Sequence, residues 1–570
     1  MNPKTALSVA VLSCLGACGG GGSSAPPPAF AVASASPASA ATGVARTTSV
    51  TVAFDAAPSL ASVGSAGLTL TGPEGNVIAG TASVSGNNVL WSPAQGGLPG
   101  STTYTLKVAA SVSDTMGRTL AAPYSTSFTT ADPAWQATST PLANTLTFYP
   151  TAVADRAGNL AVSWYETVSS IDTIYVARYR SSTGTWGAAQ AIYAVPMGSS
   201  IGVGFDLSTG LNGDVLLTWA EADRQTPQVT TRVKIARLAA GAETWSAPTN
   251  VDLSSMAGSP GVWTFAGDGS GNILGLVWMA LDAGAWGLFG LRADPAGAHW
   301  SASGQLDSGA HLSLYGPPAP MLQIDGSGNG TAAWRGAQLG LMRDRYDAST
   351  GAWGAPLQVA PEQAPSFWVS RFTGAGLSVN DRGDAAIVWS VGGTPNAQIW
   401  GMQFNSRTGT WSAAARLDAP STNGIGSGGP WAVIDAAGIA TVAWTQSDGS
   451  VRSSRSNPTA ATWSAPQIVA PASTIGYGIS APPVADAAGN VTALIVGSNN
   501  EIASIRYIAS QGAWQAPVGF YAIPSVDNYG SSLSEFIDVS GSVTAFWCLG
   551  SPATSSTATV QVSCLENLLK

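Results

Sequence analysis

Charge is scarce in this 570-residue sequence, since Asp, Glu, Lys and Arg make up only 10% of it, against about 25% in typical globular chains. The chain has four lysines, no run of basic residues and a formal net charge of −9. This excludes a nucleic-acid-binding protein, because phosphate contacts need a basic surface. Two histidines, His299 and His311, and four cysteines are too few for a metal cluster, so we expect neither metal nor cofactor. In contrast, 45% of the residues are hydrophobic and 21 are Trp, enough to build a large core.

The N-terminus carries a short apolar stretch that ends in Leu15-Gly16-Ala17-Cys18. The stretch is shorter than the roughly 20 residues that cross a bilayer. The four residues resemble the lipobox of bacterial lipoproteins, in which the cysteine is acylated and becomes the new N-terminus. The resemblance implies a signal peptide over 1–18, lipidation of Cys18 and, because Gly19 follows Cys18, anchoring in the outer membrane. The alternative is an ordinary secretory signal, and in both cases the Gly-, Ser- and Pro-rich segment 19–30 is a flexible tether.

Export leaves two cysteines in the folded part of the chain, Cys548 and Cys564. They flank a predicted hairpin centred near Ser556, which puts them about opposite one another. An oxidising compartment favours a disulfide between them, and two buried free thiols are the alternative.

Residues 31–132 contain short alternating strands such as Val50-Thr51-Val52-Ala53-Phe54 and Thr103-Tyr104-Thr105-Leu106. Strands of this length and spacing predict a β-sandwich of about 100 residues. With Asp114-Thr115-Met116-Gly117 and the closing Phe128-Thr129-Thr130, the segment resembles the bacterial Ig-like domain of surface-layer proteins. The resemblance implies a spacer or an adhesive module.

A repeat fills residues 133–566. A glycine in a tight turn, usually preceded by Asp or Asn three residues earlier, is followed six or seven residues later by an apolar anchor that is nearly always Trp. The turn glycines, 51 to 58 residues apart, are Gly158, Gly213, Gly271, Gly328, Gly383, Gly438, Gly489 and Gly541. A second Trp follows in a later strand, so each unit reads as four antiparallel strands, typical of a propeller blade. We therefore predict an all-β protein, an Ig-like sandwich plus an eight-bladed β-propeller, with seven blades as the alternative.

The last unit lacks its fourth strand, whereas Trp135-Gln136-Ala137 matches Trp514-Gln515-Ala516 of the preceding unit. The segment near Trp135 is therefore predicted to complete the last blade and close the ring, which removes exposed strand edges. The turns Ser182-Thr183-Gly184-Thr185-Trp186 and Ser349-Thr350-Gly351-Ala352-Trp353 resemble the Asp-box of sialidases and the tryptophan-docking repeat of quinoprotein propellers. These resemblances concern blade packing and transfer no catalytic residue.

Aromatic residues recur in the loops that join the fourth strand of one blade to the first strand of the next. An aromatic rim with a few polar groups suits glycan or peptide binding, and packing of these aromatics onto the blade ends is the alternative. The candidate ligand-binding residues are Tyr149, Trp263, Tyr315, Trp368, Trp431, Tyr477 and Arg335.

The function predicted from these features is binding or adhesion in the cell envelope, with a glycan, a peptide or an envelope protein as partner and the lipid anchor as the membrane contact. Glu166 and Glu221 are the candidate acid pair of an alternative, a sialidase-like glycoside hydrolase or lyase. We expect no catalysis, because no coherent catalytic set is readable. A scaffold for outer-membrane protein assembly is a further alternative.

Overall fold

A computed structural model describes residues 29–569 apart from 74, 76, 95–96, 137–139, 143–147, 170, 224–229, 282–283, 298, 311–317, 337–339, 361–375, 392–397, 419–429, 480, 524–528 and 551–561. The signal peptide, Cys18 and most of the tether lie outside these residues. Within them, no helix is long and apolar enough to cross a membrane.

The N-terminal domain is a sandwich of two four-stranded sheets, ordered β1-β3-β6-β5 and β2-β8-β7-β4. Alternating side chains of both sheets point inward and form one core that includes Val52, Trp91 and Tyr104. A helix, α1 (Leu60–Gly67), connects β3 to β4. The strands are β1 (Val32–Ser36), β2 (Ala41–Val44), β3 (Val50–Phe54), β4 (Leu68–Thr71), β5 (Gly80–Ser85), β6 (Asn88–Pro93), β7 (Thr103–Val108) and β8 (Tyr124–Thr130).

The repeat folds into eight further sheets within the described residues, and we call these sheets blades 1 to 8 in chain order. Each blade is an antiparallel meander of strands A to D. The A strands are β10 (Phe148–Ala154), β15 (Ser199–Thr209), β19 (Ser259–Gly267), β23 (Met321–Ile324), β28 (Leu377–Val379), β33 (Trp431–Ile434), β38 (Ile475–Ile479) with β39 (Val484–Ala485), and β44 (Tyr529–Ile537). The B strands are β11 (Leu160–Val168), β16 (Val215–Asp223), β20 (Ile273–Ala280), β24 (Gly330–Arg335), β29 (Ala385–Val391), β34 (Ala440–Thr445), β40 (Val491–Gly497) and β45 (Val543–Gly550).

Strands C and D follow in the same order. The C strands are β12 (Ile171–Arg180), β17 (Thr230–Leu238), β21 (Ala285–Ala293), β25 (Leu341–Asp347), β30 (Gln398–Asn405), β35 (Val451–Asn457), β41 (Glu501–Ile508) and β46 (Val562–Leu569). The D strands are β13 (Thr185–Trp186), β18 (Thr249–Asn250), β22 (Trp300–Ala310), β26 (Ala352–Trp353), β31 (Thr410–Trp411), β36 (Thr462–Trp463), β42 (Ala513–Trp514) and β9 (Thr140–Pro141). Further pairing with strand C comes from β14 (Gln190–Ala194), β27 (Leu357–Ala360), β32 (Ala415–Arg416), β37 (Gln467–Ala470) and β43 (Val518–Ala522), and a 3₁₀ turn spans Ala472–Thr474.

The blades form a closed ring, because each A strand contacts the A strand of the next blade and β44 contacts β10. The chain segment after the Ig-like domain completes blade 8: β9 pairs with β46, and Trp135 forms a bridge with Leu569. The strand-B tryptophans pack between the blades and are all fully buried: Trp164, Trp219, Trp278, Trp334, Trp389, Trp444 and Trp547. The first strand of the repeat and its last are therefore joined by backbone pairing.

The Ig-like domain packs against the turns of blades 7 and 8. The Arg46 guanidinium donates to the Ser540 carbonyl (2.7 Å), and the Asn490 side-chain amide donates to the Gly100 carbonyl (3.2 Å). The ion pair between Arg506 and Asp132 (2.7 Å) lies at the same interface. The Ig-like domain is thus bound to the blades where the ring closes.

Candidate functional site

The Asp-x-x-Gly turns between strands A and B have a common structural role. In blade 4, the Asp325 carboxylate accepts the backbone N–H groups of Ser327 and Asn329 (both 2.9 Å), and the Asn329 amide donates to it at 3.0 Å. The Asn329 side-chain oxygen then accepts the backbone N–H of Ala348 in the C–D turn (3.0 Å). Each carboxylate is occupied by its own turn, and among the described residues no group of three His, Cys, Asp or Glu lies together to hold a metal.

Two residues of the predicted ligand-binding set lie in the core, so the exposed rim position predicted for them is wrong. Trp263 is 1% exposed, and its indole nitrogen donates to the Thr218 hydroxyl (3.0 Å). Trp431 is 2% exposed and packs with Ile479 and Ile495. Both residues belong to strand A rather than to the loop before it, and strand A packs against the neighbouring blade.

The other members of that set are not brought together in the described part. Tyr315 and Trp368 lie outside the described residues, as do the side chains of Tyr149 and Tyr477. Arg335 ends strand B of blade 4, and burial lowers the pKa of its guanidinium. The binding role of these five residues stays a prediction.

The two candidate acid residues, Glu166 and Glu221, have separate partners. Glu166 accepts the indole N–H of Trp164 (2.9 Å), its neighbour on the same strand. Glu221 accepts the Tyr193 hydroxyl (2.5 Å) and lies 3.8 Å from the Lys234 ammonium group. Burial, together with this hydrogen bond to Glu221, raises the pKa of Tyr193. Each carboxylate is thus hydrogen-bonded to an aromatic side chain that packs within the blades.

Two clefts open between neighbouring blades at the C–D turns, on the edge opposite the predicted rim. Cleft 5/6, with a volume of about 410 Å³, is lined by Gln403, Asn405, Arg407, Trp411, Thr459 and Trp463. Cleft 6/7, with a volume of about 400 Å³, is lined by Ser453, Arg455, Asn457, Trp463, Tyr507 and Trp514. Most lining positions correspond through the repeat, since Gln403, Asn405 and Trp411 have their counterparts in Arg455, Asn457 and Trp463. Trp463, half-buried, lines both clefts.

The size of one side chain on strand C determines where a cleft remains. Between blades 4 and 5, the Arg343 guanidinium lies 4.5 Å from the centre of the Trp411 ring and covers one face of it. The strand register places Gly401 at the equivalent position of blade 5 and Ser453 at that of blade 6. Ser453 is too short to cover the next tryptophan, so space is left beside Trp514. At Gly401 the space is filled, because an added Cβ would lie 3.4 Å from the Trp463 ring and 2.9 Å from Leu417.

A second replacement lies at the boundary between blades 5 and 6. The guanidinium of Arg345 lies 4.0 Å from the Phe404 ring, and that of Arg455 lies 3.9 Å from the Tyr507 ring. At the boundary between blades 5 and 6 this pair is replaced by Gln403 and Ser456. Gln403 keeps a hydrogen bond to the carbonyl of Gly438 in the next blade, as Arg345 does to Gly383. The blades therefore stay joined although the stacked pair is missing.

The clefts differ in charge from the rest of this acidic protein. No Asp or Glu occurs among the described residues that line either cleft, and each cleft has an arginine. Flat indole faces, hydroxyls and amides around a concave surface can stack on the apolar face of a sugar ring and bond its hydroxyl groups.

Sequence reasoning missed this site. The signal was the arginine that recurs in strand C (Arg178, Arg237, Arg292, Arg345, Arg455 and Arg506) and is replaced by Gln403 in blade 5.

Comparison with known proteins identifies one family. Residues 26–130 match the bacterial Ig-like domain, in agreement with the sequence prediction for that part of the chain. No curated protein matches the chain.

Solved structures that are similar to this chain have low identities and low TM-scores. The intramolecular trans-sialidase from Ruminococcus gnavus is 10% identical over 52% of this chain and 89% of that one, with a TM-score of 0.34. The Penicillium chrysogenum alpha-L-arabinanase is 11% identical over 65% and 96%, with a TM-score of 0.34. The fucose-specific lectin from Aleuria aurantia is 11% identical over 58% and 98%, with a TM-score of 0.29. Likenesses at this level support no conclusion about this chain.

Proposed function

We propose that this protein is a cell-envelope glycan-binding protein whose propeller holds saccharides in clefts 5/6 and 6/7 without cleaving them. The observation that carries the proposal is the pair of adjacent clefts, each walled by two tryptophans and edged by amide and hydroxyl groups. Repetition of one cleft in the next blade supports binding of a repeating polymer, because linked weak sites gain avidity.

A polar group without a partner supports the proposal for cleft 6/7. Ser453 is 2% exposed, and its hydroxyl, at the wall of the cleft, has no hydrogen-bond partner among the described residues. A buried polar group that lacks a partner costs about 1–3 kcal/mol. The wall of cleft 6/7 thus includes a buried hydroxyl that the described residues leave unsatisfied.

The alternative of glycoside hydrolysis has less support. Such catalysis needs two carboxyl groups on either side of one glycosidic bond, roughly 5 to 9.5 Å apart. The described lining of both clefts has no carboxylate, and Glu166 and Glu221 are hydrogen-bonded to packing residues.

The proposal includes attachment to the outer membrane through lipid on Cys18 and a disulfide between Cys548 and Cys564. The strand register supports the disulfide, because the two cysteines are direct partners on β45 and β46. Transfer of a Cys18→Ser variant to the soluble fraction would support the anchor. A mass shift on alkylation that needs prior reduction would support the disulfide.

Replacement of the shared wall tests the binding site. We expect Trp463→Ala to abolish binding of the full chain on a glycan array, because it removes a stacking surface from both clefts. Trp186→Ala is the matched control, since Trp186 is the corresponding tryptophan of blade 1 and packs against Tyr179 and Phe546. Glycan binding that survives Trp463→Ala would contradict the proposal, as would an envelope protein recovered in equal amount with both variants.

A further inference from the structure

The two clefts, though related by the repeat, differ in the state of their arginines. In cleft 6/7, Arg455 is committed to the protein: it lies 3.7 Å from the Asp435 carboxylate, donates to the Thr441 hydroxyl (2.9 Å) and stacks on Tyr507. This guanidinium already has a counter-ion and a fixed position. It therefore belongs to the wall of the cleft.

In cleft 5/6, the arginine is available. Arg407 is exposed in the C–D turn of blade 5, where the Asn405 side-chain oxygen accepts its backbone N–H (3.0 Å) and fixes the turn. Its guanidinium has no ion-pair or hydrogen-bond partner in the described part of the chain, whereas eleven other arginines there form ion pairs with carboxylates. The corresponding residue of blade 6 is Thr459. An unpaired cation thus lies at the edge of one cleft.

The polar floor of cleft 5/6 completes the site. Gln403 lines the cleft at the position where the neighbouring blades have an arginine. The floor is therefore neutral and hydrogen-bonding, and the walls are the indoles of Trp411 and Trp463. Arg407 is the one charged group among the described residues that line this cleft. A guanidinium binds a carboxylate through two parallel hydrogen bonds, which an ammonium group cannot form.

We infer that cleft 5/6 selects an acidic saccharide, with its carboxylate on Arg407 and its ring between Trp411 and Trp463, while cleft 6/7 takes a neutral sugar residue. This inference rests on the proposed function, because it assigns a ligand class to one of the two proposed clefts. It also predicts that binding weakens with salt, since an exposed ion pair is screened.

The test compares a tetrasaccharide of galacturonic acid with its carboxyl-reduced, neutral form by calorimetry on the full chain. We expect the wild type to bind the acidic form about fivefold more tightly, the upper end of the effect of an exposed ion pair. Arg407→Gln should remove this preference and leave the affinity for the neutral form unchanged. Arg180→Gln, which replaces an exposed arginine at the end of strand C in blade 1, is the matched control and should keep it.

The outcomes separate the two proposals. An unchanged preference in Arg407→Gln, or no preference in the wild type, would overturn the assignment of the acidic ligand, and the proposed function would stand if Trp463→Ala still lost both saccharides. Equal binding by Trp463→Ala and the wild type would overturn the proposed site itself. A wild-type protein that binds neither these probes nor any saccharide on the array would overturn both.

Discussion

Two boundaries between blades, 6/7 and 7/8, have a serine at the same position of strand C but differ in packing. Ser504 and Ser453 occupy the same position of strand C. At the closing boundary, the Ser504 hydroxyl accepts the indole N–H of Trp135 (2.9 Å), and the Phe520 ring stacks on that indole at 4.0 Å. At the other boundary, the Ser453 hydroxyl has no partner among the described residues and faces a cleft.

The difference comes from the neighbours of the serine. The register places Phe520 of β43 at the position of Val469 of β37, so the closing boundary gains a ring that the other boundary lacks. An aromatic pair contributes about 0.5–1.5 kcal/mol beyond its buried area. The filled boundary therefore holds the ring together, whereas the open boundary leaves two tryptophans accessible to a ligand.

Removal of residues 133–142 tests the closing boundary and should have the largest effect. The deletion removes the Trp135 ring and the β9 pairing and opens the ring of blades. We expect a loss of stability beyond the ~3–5 kcal/mol of a single buried Trp→Ala replacement, measured by thermal unfolding. Deletion of residues 19–28, in the predicted tether, is the control and should leave the melting temperature unchanged. An unchanged melting temperature after deletion of residues 133–142 would refute closure by this segment.

Asn490→Ala tests the contact between the Ig-like domain and blade 7. Asn490, 4% exposed, donates to the Gly100 carbonyl (3.2 Å) and to the Thr102 hydroxyl (3.1 Å) and also holds its own turn. We expect a loss of about 1–3 kcal/mol in chemical denaturation, because buried partners lose their bonds. Asn159→Ala removes the equivalent turn residue of blade 1, which bonds within its own blade. Equal losses in the two variants would show that the interface contributes nothing.

Ser453→Arg tests whether residue size keeps cleft 6/7 open. The new guanidinium should cover Trp514 as Arg343 covers Trp411, and binding of the neutral tetrasaccharide should weaken about tenfold, or ~1.4 kcal/mol. Arg343→Ser is the converse variant and should create a third binding cleft between blades 4 and 5. Calorimetric affinity and stoichiometry measure both effects. An unaltered affinity in Ser453→Arg would mean that the ligand does not enter this cleft.

The smallest expected effect is on the pH dependence of stability at the blade 7 turn. Burial raises the pKa of Asp486, in the blade 7 turn beneath the Ig-like domain, to about 6. An acid with a raised folded pKa destabilises the native state in its charged form, so stability falls as the pH rises from about 4, the unfolded value, through about 6. Between pH 5 and 7.5, ionisation of Asp486 should lower the free energy of unfolding by about 1 kcal/mol. In Asp486→Asn, the free energy of unfolding, measured by denaturation at several pH values, should lack this decrease with pH. A slope identical to that of the wild type would assign the effect to other groups.

Much of the fold could be predicted because its signals are local. A turn glycine with positive φ, such as Gly328, and the aspartate three residues before it fix the A–B turn whatever surrounds them. The strands of the Ig-like domain could also be predicted, because apolar and polar residues alternate along them. Trp263 was placed wrongly because β19 begins at Ser259 and carries a register shift between Pro260 and Trp263, and a bulge of this kind leaves no clear mark in a single sequence.

The amino-acid sequence by itself determined the repeat, its turns and the match between the Trp135 segment and the strand that the last blade lacks, because these depend on residues close together in the chain or on identical periodic positions. Only the tertiary structure decided which inter-blade spaces are filled and which stay open. That depends on whether a side chain on one blade reaches the indole of the next, as Arg343 does and Ser453 does not. The partners in these contacts are more than 50 residues apart, so packing rather than local pattern fixes where a ligand can enter.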